Sequence, residues 1–212
     1  MRRAAALLAL LLARPAFAYE LDDVLSKLET ADKSVNAIKF DFTQDIHFTE
    51  MGSDTNVSGV ATFAKPNRMR VEKKKPDQQV TISNGKKMWV YNPAFKQVWE
   101  GTWQSWVQAK ILPQGLIPVG GYVADLRKNF NLSLSSGEDG GVRLNARPKG
   151  KDIGYSLEIQ VSTLTWMPTQ TTFTSDSAVV KTALSSVEIN PAVKDGDFSF
   201  KAPSGVDVIP LN

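Results

Sequence analysis

The chain has 212 residues, 42% of them apolar and 22% charged, with one histidine and no cysteine. Cys/His nucleophile pairs, histidine- or cysteine-rich metal sites and disulfide scaffolds are therefore excluded, and no cofactor is expected. The formal charge of +3 is misleading: of 25 Lys+Arg, Arg2, Arg3 and Arg14 precede residue 19, so residues 19–212 carry 22 basic against 22 acidic side chains, net zero, which removes the electrostatic case for nucleic acid.

The first twenty residues read MRRAAALLALLLARPAFAYE. Two arginines, an apolar run over residues 4–13 and the small-x-small triplet Ala16-Phe17-Ala18 have the form of a secretory signal peptide. The run is about ten residues, half of the roughly 20 needed to span a bilayer. The expectation is a cleaved signal over 1–18 and one mature domain over 19–212. No cysteine follows the signal to accept a lipid, so the mature protein is expected to be soluble.

Residues 20–35 place Leu21, Val24, Leu25, Leu28, Ala31 and Val35 on one helical stripe, with Asp22 and Asp23 at the positive end of the dipole. The stretch NAIKFDFTQDIHF, residues 36–48, then alternates with period two, Ile38, Phe40, Phe42, Ile46 and Phe48 on one side and Lys39, Asp41, Thr43, Asp45 and His47 on the other, interrupted by Gln44. Strands follow over 57–64, 68–75, 78–83 and 86–91, the last two flanking Asn84-Gly85, a two-residue hairpin signal, and then around 97–101. Residues 102–112 fit a short helix and 122–130 a second. Strands resume over 130–135, 142–148, 154–161, 168–174 and 178–189, with a last piece around 197–202. About eleven antiparallel strands with helices inserted rather than alternating predict a mainly β domain, one large curved sheet or barrel.

Chemistry is sparse along this frame. Asp45 and His47 share a strand's polar face, but nothing marks a serine to complete a triad, so His47 reads as a surface residue and no enzyme is expected. Gly137 to Gly141 lie between two strands, not between a strand and a helix, and form no phosphate loop. The basic run over 68–75 either meets an acidic partner or blunts a strand edge. The informative segment is 103–123, with Trp103, Trp106, Val107, Ile111, Leu112, Leu116, Ile117, Val119, Tyr122 and Val123 among prolines and glycines. It is too apolar for a solvated loop and too broken for a core helix; a helical flap over an apolar cavity satisfies both facts.

Four motifs in this order resemble the periplasmic outer-membrane lipoprotein carrier family, LolA. They are Phe42-Thr43-Gln44; G-x-x-x-F-x-K-P-x-R-x-R from Gly59 to Arg70; the run from Pro76 through ISNGKKMWVYNP to Pro93; and FSFKAPSGV from Phe198 to Val206. The resemblance implies an unclosed antiparallel β-barrel with a helical lid over an apolar cavity. It implies a soluble, monomeric periplasmic chaperone that takes acylated lipoproteins from an inner-membrane ABC transporter (LolCDE-like) and passes them to an outer-membrane receptor (LolB-like). A same-fold binder or sensor of another acylated ligand, such as a phospholipid, a glycolipid or a mislocalised lipoprotein, is the alternative. On this reading Phe40, Phe42, Ile46, Phe63, Met69, Val71, Trp89 and Tyr91 wall the cavity. Trp103, Trp106, Val107, Ile111, Leu112 and Leu116 belong to the lid. The family's arginine before the K-P proline, which ties lid to barrel, is Lys65 here; a lysine keeps the charge and loses the planar fork. Either closure is weaker in this chain or Arg68 or Arg70 takes over the latch. Met69 stands where family members carry a partner-contact aromatic.

Overall fold

The computed structural model describes residues 19–108, 122–150 and 154–211. Helix α1 (Leu21–Ser34) has no side-chain cap at its start and is held by its stripe, burying Val24, Leu25 and Leu28. Six strands follow as a meander: β1 (Ala37–Phe48), β2 (Ser53–Ala64), β3 (Arg68–Lys75), β4 (Gln79–Asn84), β5 (Lys87–Asn92) and β6 (Gln97–Thr102). Two short helices come next, α2 (Trp103–Gln108) and α3 (Tyr122–Asn129). The strands β7 (Phe130–Ser136), β8 (Val142–Pro148), β9 (Tyr155–Val161), β10 (Pro168–Ser175), β11 (Ala178–Ile189) and β12 (Asp207–Leu211) complete the chain.

All twelve strands join one sheet in the order β12-β6-β5-β4-β3-β2-β1-β11-β10-β9-β8-β7. Among the described residues β12 and β7 do not pair, so the sheet is unclosed, as the resemblance implied. The long central strands set its register: Phe42 lies opposite Gly59 on β2 and Leu184 on β11. Alternation along β1 matches burial, with Phe40, Phe42 and Gln44 buried and Asp41, Thr43 and Asp45 exposed.

Three expectations are corrected. The piece around 197–202 is not a strand; a 3-10 turn occupies Asp195–Phe198, and the twelfth strand comes at Asp207–Leu211. That strand runs parallel to β6, so the sheet is not wholly antiparallel. The Asn84-Gly85 turn is also wider than two residues: Ser83 pairs with Met88, and Asn84 Oδ1 accepts the amides of Lys86 and Lys87 at 3.0 and 2.9 Å. The asparagine makes a local side-chain turn and leaves the positive φ, +90°, to Gly85 alone.

The sheet has two unlike sides. One meets the helices. The other is crossed by residues 190–206, which run from the end of β11 to β12 and bury Phe198 against Ala37 and Ala64.

Candidate functional site

Cross-strand pairs carry one face from strand to strand. Phe40 lies opposite Ala61, Ala61 opposite Val71, Val71 opposite Thr81 and Thr81 opposite Val90; a neighbouring row runs Ile38, Phe63, Met69, Ser83, Met88. Phe40, Phe42, Phe63, Met69, Val71 and Met88 are buried in one cluster, with Ile46, Val90 and Trp103 packed against it. The rings of Phe40 and Phe63 stack at 5.9 Å. Six of the eight wall residues expected from sequence thus come together on the helix face. Met69 is 2% exposed and sits inside this cluster.

Trp89 and Tyr91 do not join them. They alternate with Met88 and Val90 and therefore point to the opposite face, where Trp89 packs with Ile82 and Val98. The ring of Phe200, on the crossing tail, lies 6.4 Å from that of Trp89 and 5.5 Å from that of Tyr91. Glu100 accepts the indole N–H of Trp89 at 2.9 Å and pairs with Lys87. These aromatics fasten the tail to the back of the sheet. Met88 and Val90 occupy the positions expected for them.

The cover over the far half of the helix face is built from α1 and α3. Val24, Leu25 and Leu28 of α1 and Val123 and Leu126 of α3 form one cluster with Val142, Leu144, Ala146, Ile159 and Val161 of the sheet. Asp22 on α1 pairs with Arg127 on α3 at 2.9 Å. Trp103, at the start of α2, packs on the Phe40 cluster, and the Thr102 hydroxyl accepts the Ser105 amide at 3.0 Å to cap that helix. Trp106 and Val107 fall within α2. Ile111, Leu112 and Leu116 lie outside the described residues.

The three latch candidates divide. Lys65, in the β2–β3 turn, donates from Nζ to the Asp32 carbonyl at 2.7 Å and to that of Lys33 at 3.5 Å, at the C-terminal end of α1. The Asp32 carbonyl also accepts the Val35 amide at 3.2 Å, and both carbonyls lie at the negative end of the helix dipole, so an ammonium suits them. Arg68 instead donates to the Lys65 carbonyl at 2.9 Å and pairs with Asp195 at 2.8 Å, its guanidinium 5.2 Å from the Phe198 ring. Arg70 pairs with Glu72 at 2.6 Å and reaches the Asp197 carbonyl at 3.5 Å. Of the three, only Lys65 reaches a helix of the cover; the two arginines bind the turn and the tail.

Two features were not assigned from the sequence. Lys149, just after β8, donates to the Arg127 and Lys128 carbonyls at 2.9 and 3.2 Å, so the C-terminal ends of α1 and α3 are each held by a lysine from a strand-end turn. On the helix face, Gln44 Nε2 donates to Thr182 Oγ1 at 3.0 Å, both buried. Such lysines look like any surface charge in sequence, and such polar residues look like breaks in a strand pattern.

A hydrolytic reading gains nothing. His47 is exposed and its Nδ1 lies 2.7 Å from Asp54, its cross-strand neighbour, while Asp45 accepts from Asn56. The hollow they line contains no serine. Among the described residues no group of three or more acidic or histidine side chains could hold a metal, and no helix is long and apolar enough to cross a membrane.

Residues 33–201 match the family model described as outer membrane lipoprotein carrier protein LolA. The chain is 31% identical to the outer-membrane lipoprotein carrier protein of Albidiferax ferrireducens over 199 residues, 87% of this chain and 90% of that protein. It is 28% identical to the Bordetella avium protein of the same name over 205 residues, 96% and 95% of the two chains. An uncharacterized conserved protein from Thermus thermophilus superposes with a TM-score of 0.54 at 14% identity, covering 89% of this chain and 98% of that one, a likeness of fold. The family match spans eleven of the twelve strands, Lys65 and most of the crossing tail, and the chain belongs to the LolA family of outer-membrane lipoprotein carrier proteins.

Proposed function

We propose that the protein is exported, loses residues 1–18, and acts in the periplasm as a monomeric carrier over residues 19–212. It takes acylated lipoproteins released from the inner membrane by a LolCDE-like transporter and hands them to a LolB-like outer-membrane receptor. The observation that carries this reading is the Lys65 ammonium on the end of α1, joining a helical cover to strands that bear an apolar face.

Energetics explain the need. Burying one CH₂ is worth roughly 0.8 kcal/mol, so a chain of about 16 carbons represents on the order of 12 kcal/mol and cannot cross water unaided. A carrier must present a comparable apolar surface and hide it when empty. Phe40, Phe42, Ile46, Phe63, Met69 and Val71, with Met88 and Val90, form that surface; Trp103 packs on it, and α1 and α3 cover the neighbouring part of the same face. Displacing the cover costs free energy, which keeps affinity low enough for hand-over. Direction comes from the partners: the transporter loads, and a receptor of higher affinity unloads.

A release assay tests the proposal. Membrane vesicles bearing the transporter and a labelled lipoprotein are incubated with and without this protein, and soluble label is counted. Label appearing only with the protein supports the carrier. No release, together with phospholipid or glycolipid as the sole co-purifying ligand by mass spectrometry, overturns it in favour of a same-fold binder of another acyl lipid.

A further inference from the structure

Exposed apolar side chains and unpaired lysines meet at one corner of the sheet, on the lip formed by β6 and β12. Lys73 lies opposite Gln79, Val80 opposite Tyr91, Asn92 opposite Gln97 and Gln97 opposite Asp207, so the β3–β4 and β5–β6 turns sit at the same end, three strand spacings or about 14 Å apart. Lys74 and Lys75 close β3, and Phe95 and Lys96 lie in the β5–β6 turn. Phe95 is 71% exposed, Val208 on β12 53% and Trp99 on β6 41%. The last two stand on opposite faces of the lip. Trp99 pairs with Val90, which packs on the Phe40 cluster, so it shares the helix face; Val208 pairs with Val98, which packs beside Trp89 on the tail face. Among the described residues Lys73, Lys74, Lys75 and Lys96 form no ion pair. Asp77 and Asp207 lie near these four lysines, which leaves the corner two positive charges in excess while residues 19–212 as a whole are neutral.

We propose that this lip docks on the surface of a bilayer containing anionic phospholipid, with Phe95, Trp99 and Val208 entering the headgroup layer and the lysines meeting phosphates. The inference rests on the carrier reading above and names the part of the carrier that is turned to the membrane. A protein partner of ordinary size covers about 800 Å² of continuous surface on each side. Here the apolar groups stand at the tip and on both faces of one edge, so a flat partner cannot cover all three. A headgroup layer moulds itself round a wedge, and aromatic rings flanked by lysines are what the boundary of lipid and water favours. The depth agrees. Val208 and Trp99 lie one and two residues in from the Gln97–Asp207 pair, about 3 and 7 Å along the strands, and surface-bound apolar groups enter roughly 5–10 Å. Trp99 leads through Val90 to the Phe40 cluster, so an acyl chain that leaves the bilayer at this lip meets apolar side chains at once.

Flotation of the protein over residues 19–212 with phosphatidylcholine vesicles, with and without phosphatidylglycerol and with no transporter, receptor or lipoprotein present, provides the test. Binding is expected to the anionic vesicles only, and to weaken as salt rises. Lys74→Gln/Lys75→Gln should lower the affinity about 25-fold, roughly fivefold for each lysine, and Phe95→Ser about tenfold. Lys128→Gln/Lys181→Gln, the same loss of charge on α3 and β11, should leave it unchanged. Thermal melts confirm that each variant is folded. Failure of the native protein to bind anionic vesicles at low salt overturns the docking, and so does equal weakening by the two lysine pairs or a folded Phe95→Ser variant that binds as the native protein does. The release assay keeps this apart from the carrier reading: release that persists without vesicle binding leaves the carrier and removes the bilayer contact. If Lys74→Gln/Lys75→Gln then slows that release, the lip meets an acidic protein, and the bilayer proposal is wrong.

Discussion

Gly59 stands directly across the β1–β2 pair from Phe42, and a Cβ at that position would lie 2.8 Å from Phe42 Cζ and 2.3 Å from the Glu72 carbonyl oxygen. The glycine that opens the family's G-x-x-x-F motif is therefore the space into which the Phe42 ring lies. Gly59→Ala is expected to destabilise the protein by about 1–3 kcal/mol through overpacking. A urea midpoint that falls with an unchanged slope would show it. Adding Phe42→Leu should recover part of the loss, and strict additivity of the two changes would refute the contact.

Lys65 and Lys149 hold equivalent helix ends but different parts of the cover. Lys65→Leu should cost about 1 kcal/mol of stability and speed release of bound acyl ligand. Lys65→Arg should restore both, because the charge and its reach survive. Lys149→Leu should cost a similar amount while leaving release unchanged, since its bond joins β8 to the end of α3 and not the turn beside the Phe40 cluster. Thermal melts and a ligand off-rate measurement separate the two; equal off-rates for Lys65→Leu and the parent would remove Lys65 from the latch.

Phe200 closes over Trp89 and Tyr91 on the tail face, away from the proposed ligand. Phe200→Ala is expected to lower stability by about 2 kcal/mol, less than for a fully enclosed ring, with acyl affinity intact. Phe40→Ala should lower both. Loss of acyl binding in folded Phe200→Ala would place the ligand against the tail face and undo the assignment of sides.

Glu100 supplies a pH test. Its hydrogen bonds from Lys87 and then from the Trp89 indole hold its carboxyl below the usual glutamate range. A depressed folded pKa means stability that is present above the unfolded value, about 4.3, and lost as pH falls through the folded one. Glu100→Gln should therefore be less stable than the parent at neutral pH, with the gap closing in acid. Denaturant midpoints measured across that range check it; a gap that widens in acid would contradict the pairing.

The frame of this fold was legible because most of its signals are local. The α1 stripe, the β1 alternation and the order of the meander strands each depend on neighbours a few positions away, and the structure places them where they were expected. The strand face of Trp89 and Tyr91 was not legible. Both parities of KMWVY are apolar, so period two offers no choice of side, and the deciding partner, Phe200, lies far downstream. The twelfth strand failed for the same reason: a parallel pairing made after a crossing tail leaves no hairpin signal. The latch could be narrowed to Lys65, Arg68 and Arg70 from the motif, but only the helix end brought back to Lys65 separates the three.

Composition and order alone were enough for a mainly β chain with inserted helices, equal numbers of acidic and basic side chains over residues 19–212, and a family resemblance, because each follows from residue type and short-range spacing. Packing decided the rest. Which side of the sheet the helices cover, which aromatics face the tail, and that Gln44, Thr182 and Thr171 form one polar row all depend on strands distant in sequence meeting in register. A single residue's identity carries no record of that meeting; the hydrogen-bond ladder across β1, β11 and β10 does.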